Sequence, residues 1–124
     1  MSTRKVIGLE GVRTLHMLHS LDRAVGDTAT TVRNGFKWAD LRTGDVIELC
    51  VCTREPETHD VQGKGKVEDV WFGRFREIPA YWLQFEHELR SRFYGGLYDS
   101  MRYAYGTSFG ESSPVTAIMY TRIA

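Results

Sequence analysis

Scarcity sets the first limits on this chain of 124 residues: it holds two cysteines, three prolines and no excess of either charge. Two cysteines cannot form the disulfide framework that small secreted scaffolds use in place of a core. Cys50 and Cys52 alternate within VIELCVC, so they share one face of a strand. Without a second pair or a CxxC spacing they read as buried thiols rather than zinc ligands. No apolar run approaches the roughly 18 residues of a membrane-spanning helix. The opening MSTRKVIGLEGVR lacks the apolar centre of a signal peptide. A cytoplasmic protein with no membrane partner is expected. Sixteen basic residues balance sixteen acidic ones, so no global field draws the chain to a polyanion, and such binding would need a local patch. There is no glycine-rich phosphate loop and no third ligand at metal-site spacing, so neither a cofactor nor a metal is expected. His16 and His19 alone, as His-x-x-His, read as partly exposed histidines.

With 42% hydrophobic and 26% charged residues, the chain has enough apolar side chains for one core, and 1–124 reads as a single domain with 1–13 as an N-terminal arm. Thr14 to Leu18 reads as a strand. Ser20 then caps a short helix, LDRAV, that ends at Gly26. Next comes GDTATTVRNGFKWADLRTGD (26–45), where threonines favour extended backbone between glycine turns. Asp45 to Thr53 is apolar on both faces, the pattern of an interior strand: Ile47, Leu49 and Val51 point one way, Val46, Cys50 and Cys52 the other. Residues 54–65, REPETHDVQGKG, carry turn chemistry throughout and predict an exposed loop. Lys66 to Phe75 reads as the returning strand, with Val67, Trp71 and Phe75 on one face. Pro79 opens a helix that aligns Trp82, Phe85 and Leu89, with Glu86 and Glu88 on its flanks and His87 between them. A second helix carries Leu97, Met101, Ala104 and Tyr105 and stops at Gly106, and the alternating VTAIMYTRI closes the chain as a strand. The order gives an α+β fold: a small barrel-like mixed sheet flanked by two to three helices.

Four features in this order resemble the ASCH family of the PUA-like superfamily. The first is Gly26-Asp27-Thr28-Ala29-Thr30-Thr31-Val32-Arg33, and the second is Gly44-Asp45 opening the next apolar strand. The third is a helix bearing Glu86-His87-Glu88. The fourth is Tyr105-Gly106 followed by a terminal strand that begins Val115-Thr116. The likeness covers roughly residues 14 to 123 and implies a PUA-like β-barrel with a cleft for RNA or a modified nucleoside. Some members of that family are amidohydrolases that remove an acyl group from the exocyclic amine of cytidine. Such enzymes use a lysine and a threonine in G-x-K-T-x-T-x-R and a glutamate on the later helix. Here the lysine position is Thr28 and the next is Ala29; Thr31 and Arg33 keep the pattern, and the glutamate matches Glu86 or Glu88.

If the chain is an enzyme, the resemblance therefore implies Thr31 with Glu88 or Glu86 as its catalytic groups. A threonine at 28 cannot replace a lysine as general base, because its hydroxyl does not titrate near neutrality. As ligand-binding candidates, Arg33 offers a fork for a phosphate or a base edge, Trp38 a stacking face, and Thr28 and Thr31 hydroxyls; Lys37 and His87 flank them. Each also has a structural role open to it: an ion pair with Glu86 for Arg33, a barrel cap for Trp38. Lys64, Lys66, Arg74, Arg76, Arg90 and Arg92 form a basic rim or are scattered surface charge. Three functions stay open: an RNA- or nucleotide-binding domain, an amidohydrolase or RNA-cleaving enzyme of the same fold, and a protein-interaction module. A monomer or weak dimer is expected.

Overall fold

The first described strand lies at an edge of the sheet and runs parallel to its neighbour. β1 (Arg13–Met17) pairs with β3 (Val46–Arg54), and the rest of the sheet is antiparallel: β3 with β4 (Glu57–Arg74), β4 with β5 (Pro114–Arg122), and β5 with β2 (Thr28–Asn34). This computed structural model describes residues 13–17, 24–54, 57–86 and 89–124. The proposed arm (1–12) and residues 18–23, including His19 and most of the short helix expected there, lie outside the described residues. Two helices follow β4: α1 (Ala80–Leu83) and α2 (Tyr94–Tyr105). The fold is α+β with a five-stranded mixed sheet in the order β1-β3-β4-β5-β2. The sheet is not closed into a barrel by backbone pairing, and β1 and β2 remain its edges. No helix among the described residues is long and apolar enough to cross a membrane.

Two cores lie against the sheet. The helix-side core joins Val32, Val115, Ala117 and Met119 of the sheet to Phe75, Ile78, Trp82, Leu83, Leu97, Met101 and Phe109. Phe75 is its centre, fully buried and in ring contact with Tyr94, Tyr98 and Phe109. The second core joins Leu15, Met17, Ala29, Leu41, Ile47, Leu49, Val67, Ile118 and Tyr120, with Trp38 and Val70 packed against it. Each fully buried aliphatic or aromatic side chain contributes about 1.5–3 kcal/mol, so both cores matter to the fold.

Of the region expected as a loop (54–65), Arg54 ends β3 and residues 57–65 form the first half of β4, which runs for 18 residues, with Arg54 paired to Glu57; residues 55–56 lie outside the described residues. Its glycines had suggested turns. They serve close packing: a Cβ on Gly65 would stand 2.7 Å from the Tyr120 ring, and one on Gly63 2.6 Å from the carbonyl oxygen of Ala124. The common face assigned to Val67 and Trp71 is also corrected. A register shift between Val67 and Asp69 reverses the alternation, so Val67 enters one core and Trp71 the other. The glycine turns at Gly26 and Gly44 are as expected, with φ of 97° and 96°, a backbone region open mainly to glycine.

The expected first helix is shorter than its apolar spacing suggests. α1 ends at Leu83, and Phe85–Glu86 turns out along the free edge of β2, where the Thr30 amide donates to the Phe85 carbonyl at 2.6 Å. An edge strand with unsatisfied backbone groups outcompetes continuation of the helix. Glu86 is therefore not on a helix flank. α2 stops where expected, at Gly106 with φ 87°, and its buried face is Leu97 and Met101, while Ala104 and Tyr105 are exposed.

Candidate functional site at the seam between the sheet edges

β2 holds short hydroxyl side chains in a position where most strands carry valine or isoleucine. Thr30 and Thr31 are buried, at 0% and 2% exposure, and the Oγ1 of Thr30 has no hydrogen-bond partner among the described residues. Beside Thr30, the bridge to Glu86 draws that residue into the protein, where it is 2% exposed. Arg92 donates from Nε to the Glu86 carbonyl at 2.9 Å. Thr30 thus shares the helix-core face of β2 with Val32, Thr31 shares the opposite face with Ala29 and Arg33, and Glu86 sits at the open edge beside Thr30.

Arg33 crosses that opening. From the end of β2 its Nη1 donates to the carbonyl of His16 on β1 at 2.6 Å, tying together the two edges that no backbone ladder joins. Its Nε is buried and has no partner among the described residues, while part of the side chain still reaches solvent. Burial holds the guanidinium below its ordinary value, and the nearby Tyr105, Glu86, Tyr120 and Cys52 oppose that shift. An arginine stays protonated at neutral pH, so this is a fixed positive charge with one committed and one uncommitted hydrogen-bonding edge.

The other candidates fall into three groups. Thr28 is half-exposed, and its hydroxyl meets that of Thr121 at 3.3 Å; Thr121 in turn donates to Glu68 at 2.7 Å. Engaged in this way, Thr28 supplies no base to Thr31. Trp38 packs against the second core and carries the Arg13 guanidinium 4.2 Å above its ring, with the Lys37 ammonium at 5.8 Å. Arg13 is itself fixed by Asp40 at 2.5 Å and by the Lys37 carbonyl at 2.7 Å. One face of Trp38 is therefore already covered, which fits a core-capping tryptophan better than an open stacking platform. Exposed Lys37 stands with this group. His87 and Glu88 lie outside the described residues.

Of the basic rim, Lys64, Lys66, Arg74 and Arg76 are exposed, and Arg76 is engaged with Ser112 at 3.0 Å. Arg92 belongs to the seam through Glu86. Residue-by-residue reading missed the buried hydroxyl of Thr30, the part played by Arg92, and the approach of His16 to the two cysteines. None has a local signal, because each depends on a partner from a distant strand or turn. No protein-family model, curated protein or solved structure matches the chain.

Proposed function

We propose that the chain is an ASCH-like, PUA-type domain that binds RNA or a modified nucleotide at the seam between β1 and β2. Arg33 carries this reading. It is a half-buried guanidinium with one nitrogen fixed on His16 and no partner for its Nε among the described residues, on the face of β2 that it shares with Thr31 and within the field of Glu86. A phosphate oxygen or the carbonyl edge of a base satisfies that free donor and offsets the buried charge. The hydroxyls and the carboxylate then read the remaining polar edge of the ligand. The Arg33–His16 hydrogen bond links the two edges of an open sheet.

The same arrangement ranks the rivals. Hydrolysis of an acylated cytidine needs a base beside Thr31, and the residue at the family's lysine position, Thr28, is a threonine paired to Thr121. A water activated by Glu86 is the remaining route. Incubation with N4-acetylcytidine separates these readings: the binding domain gives saturable quenching of tryptophan fluorescence by nucleoside or short single-stranded RNA, without turnover. Deacetylation lost in Thr31→Ala would replace the binding reading with the hydrolase. Absence of both signals would leave a protein-interaction module.

A further inference from the structure

Outside the seam, three metal-ligating side chains meet on the sheet. In the β1–β3 register His16 stands opposite Cys50, and Cys52 follows two residues on along β3. The sulfurs of Cys50 and Cys52 are 3.6 Å apart, and Nδ1 of His16 lies 3.2 Å from the Cys52 sulfur. All three ligand atoms fall within 4.8 Å of one another. Neither cysteine is in a disulfide.

From this convergence we infer that His16, Cys50 and Cys52 bind one thiophilic divalent cation of the zinc class. Two of the three ligand–ligand distances lie near the edges of a tetrahedron around zinc, and the third, from His16 to Cys50, is within 4.8 Å. Bond lengths of about 2.3 Å to sulfur and about 2.0 Å to nitrogen require an S–S edge of about 3.8 Å and an S–N edge of about 3.5 Å. Shifts of a few tenths of an ångström bring the observed 3.6 and 3.2 Å to those values. Two alternating cysteines on a strand supply both sulfurs from one rigid element, and the histidine comes from its hydrogen-bonded neighbour. The contact between Nδ1 and the Cys52 sulfur makes Nδ1 the ligating nitrogen.

Burial sets the access. Cys50 and Cys52 are 1% and 5% exposed, whereas His16 is exposed, so an ion enters from the histidine side and keeps a fourth position toward solvent. Soft sulfur with imidazole selects zinc-class ions over magnesium or calcium. Binding replaces two S–H bonds by two metal–thiolate bonds, and the two protons leave to solvent. With a neutral imidazole the divalent ion and two thiolates sum to no net charge, which suits a site this deep. The site does not depend on the ligand proposed for the seam, although it shares His16, whose carbonyl receives Arg33.

The test uses the full chain, reduced with a phosphine, stripped of metal and titrated anaerobically with cobalt(II). One equivalent should saturate the protein, with a thiolate-to-cobalt charge-transfer band and the strong visible bands of a tetrahedral site. Zinc should then displace the cobalt and raise the melting temperature. His16→Ala changes an exposed side chain, so it should keep the wild-type circular dichroism while weakening cobalt binding at least about 100-fold, as loss of even an outer partner can cost 10–100-fold. Cys52→Ser should likewise weaken binding and roughly halve the charge-transfer intensity per bound cobalt, because Cys50 alone then supplies sulfur. Wild-type protein with both thiols reduced that gives no such band overturns the site. So does an affinity unchanged by His16→Ala.

Discussion

The cores of the molecule and the edges of its sheet are built from different chemistry. The helix side is closed with hydrocarbon: Phe75, Leu97, Met101, Phe109 and Val115 are nearly or fully buried and need only shape to fit. The edge side holds Thr30, Thr31, Glu86, Arg33 and the His16–cysteine group, polar atoms whose burial costs free energy unless each finds a partner. The sheet tolerates that cost at its edges because the two cores supply the hydrophobic stabilisation. The contrast separates residues that hold the fold from residues available for a ligand.

Mutation should sharpen that contrast most at Phe75. Phe75→Ala empties the centre of the helix-side core and should destabilise the protein by about 3–5 kcal/mol. Denaturant unfolding gives the loss directly, and the folded fraction should still take up cobalt at His16. Gly65→Ala comes next. Its Cβ would stand 2.7 Å from Tyr120 in the second core, with Ile47 at 3.5 Å, which should cost about 1–3 kcal/mol. A stability unchanged within error would show that the Tyr120 ring moves aside freely and that the glycine has no packing role.

A smaller effect of opposite sign is expected at the seam. Thr30→Val keeps the shape and removes a buried hydroxyl that has no partner among the described residues, so it should raise stability by about 1 kcal/mol while weakening nucleotide binding. Destabilisation instead would mean that an ordered water already satisfies the hydroxyl. The smallest effect lies on the helix side, at Tyr94. Burial, followed by the charge and hydrogen bond of Glu111, raises its phenol above 10. A folded value above the unfolded one makes this contribution complete below about pH 10 and lost as pH rises through the folded value. Tyr94→Phe should flatten that alkaline decline in melting temperature and leave neutral pH almost unchanged.

What the sequence made legible divides along the same line. The apolar strand Val46–Arg54, with its two faces, the stop of α2 at Gly106 and the interior position of β5 follow from periodicity and glycine turns, which act locally. The first half of β4 was hidden because Gly63 and Gly65 look like turn residues until Ala124 and Tyr120 are seen beside them. α1 was overextended because its apolar spacing carries no record of the β2 edge that captures Phe85. At the site, Arg33 and the threonines were readable from one segment. The meeting of Cys50, Cys52 and His16 depends on a parallel pairing across 34 residues of chain, and Arg92 reaches Glu86 only through the turn that ends the helix.

The central claim concerns Arg33, and the salt dependence of RNA affinity tests it most directly. Tryptophan fluorescence titrations of a short single strand, repeated across salt concentrations, compare wild type with Arg33→Ala and Arg33→Lys, each checked for folding by circular dichroism. A fork at the seam predicts that both variants bind more weakly. It also predicts that Arg33→Ala lowers the slope of log affinity against log salt by about one phosphate contact while Arg33→Lys keeps it. An affinity and slope in Arg33→Ala indistinguishable from wild type would show that Arg33 only ties β2 to His16, and the seam would not be the binding site.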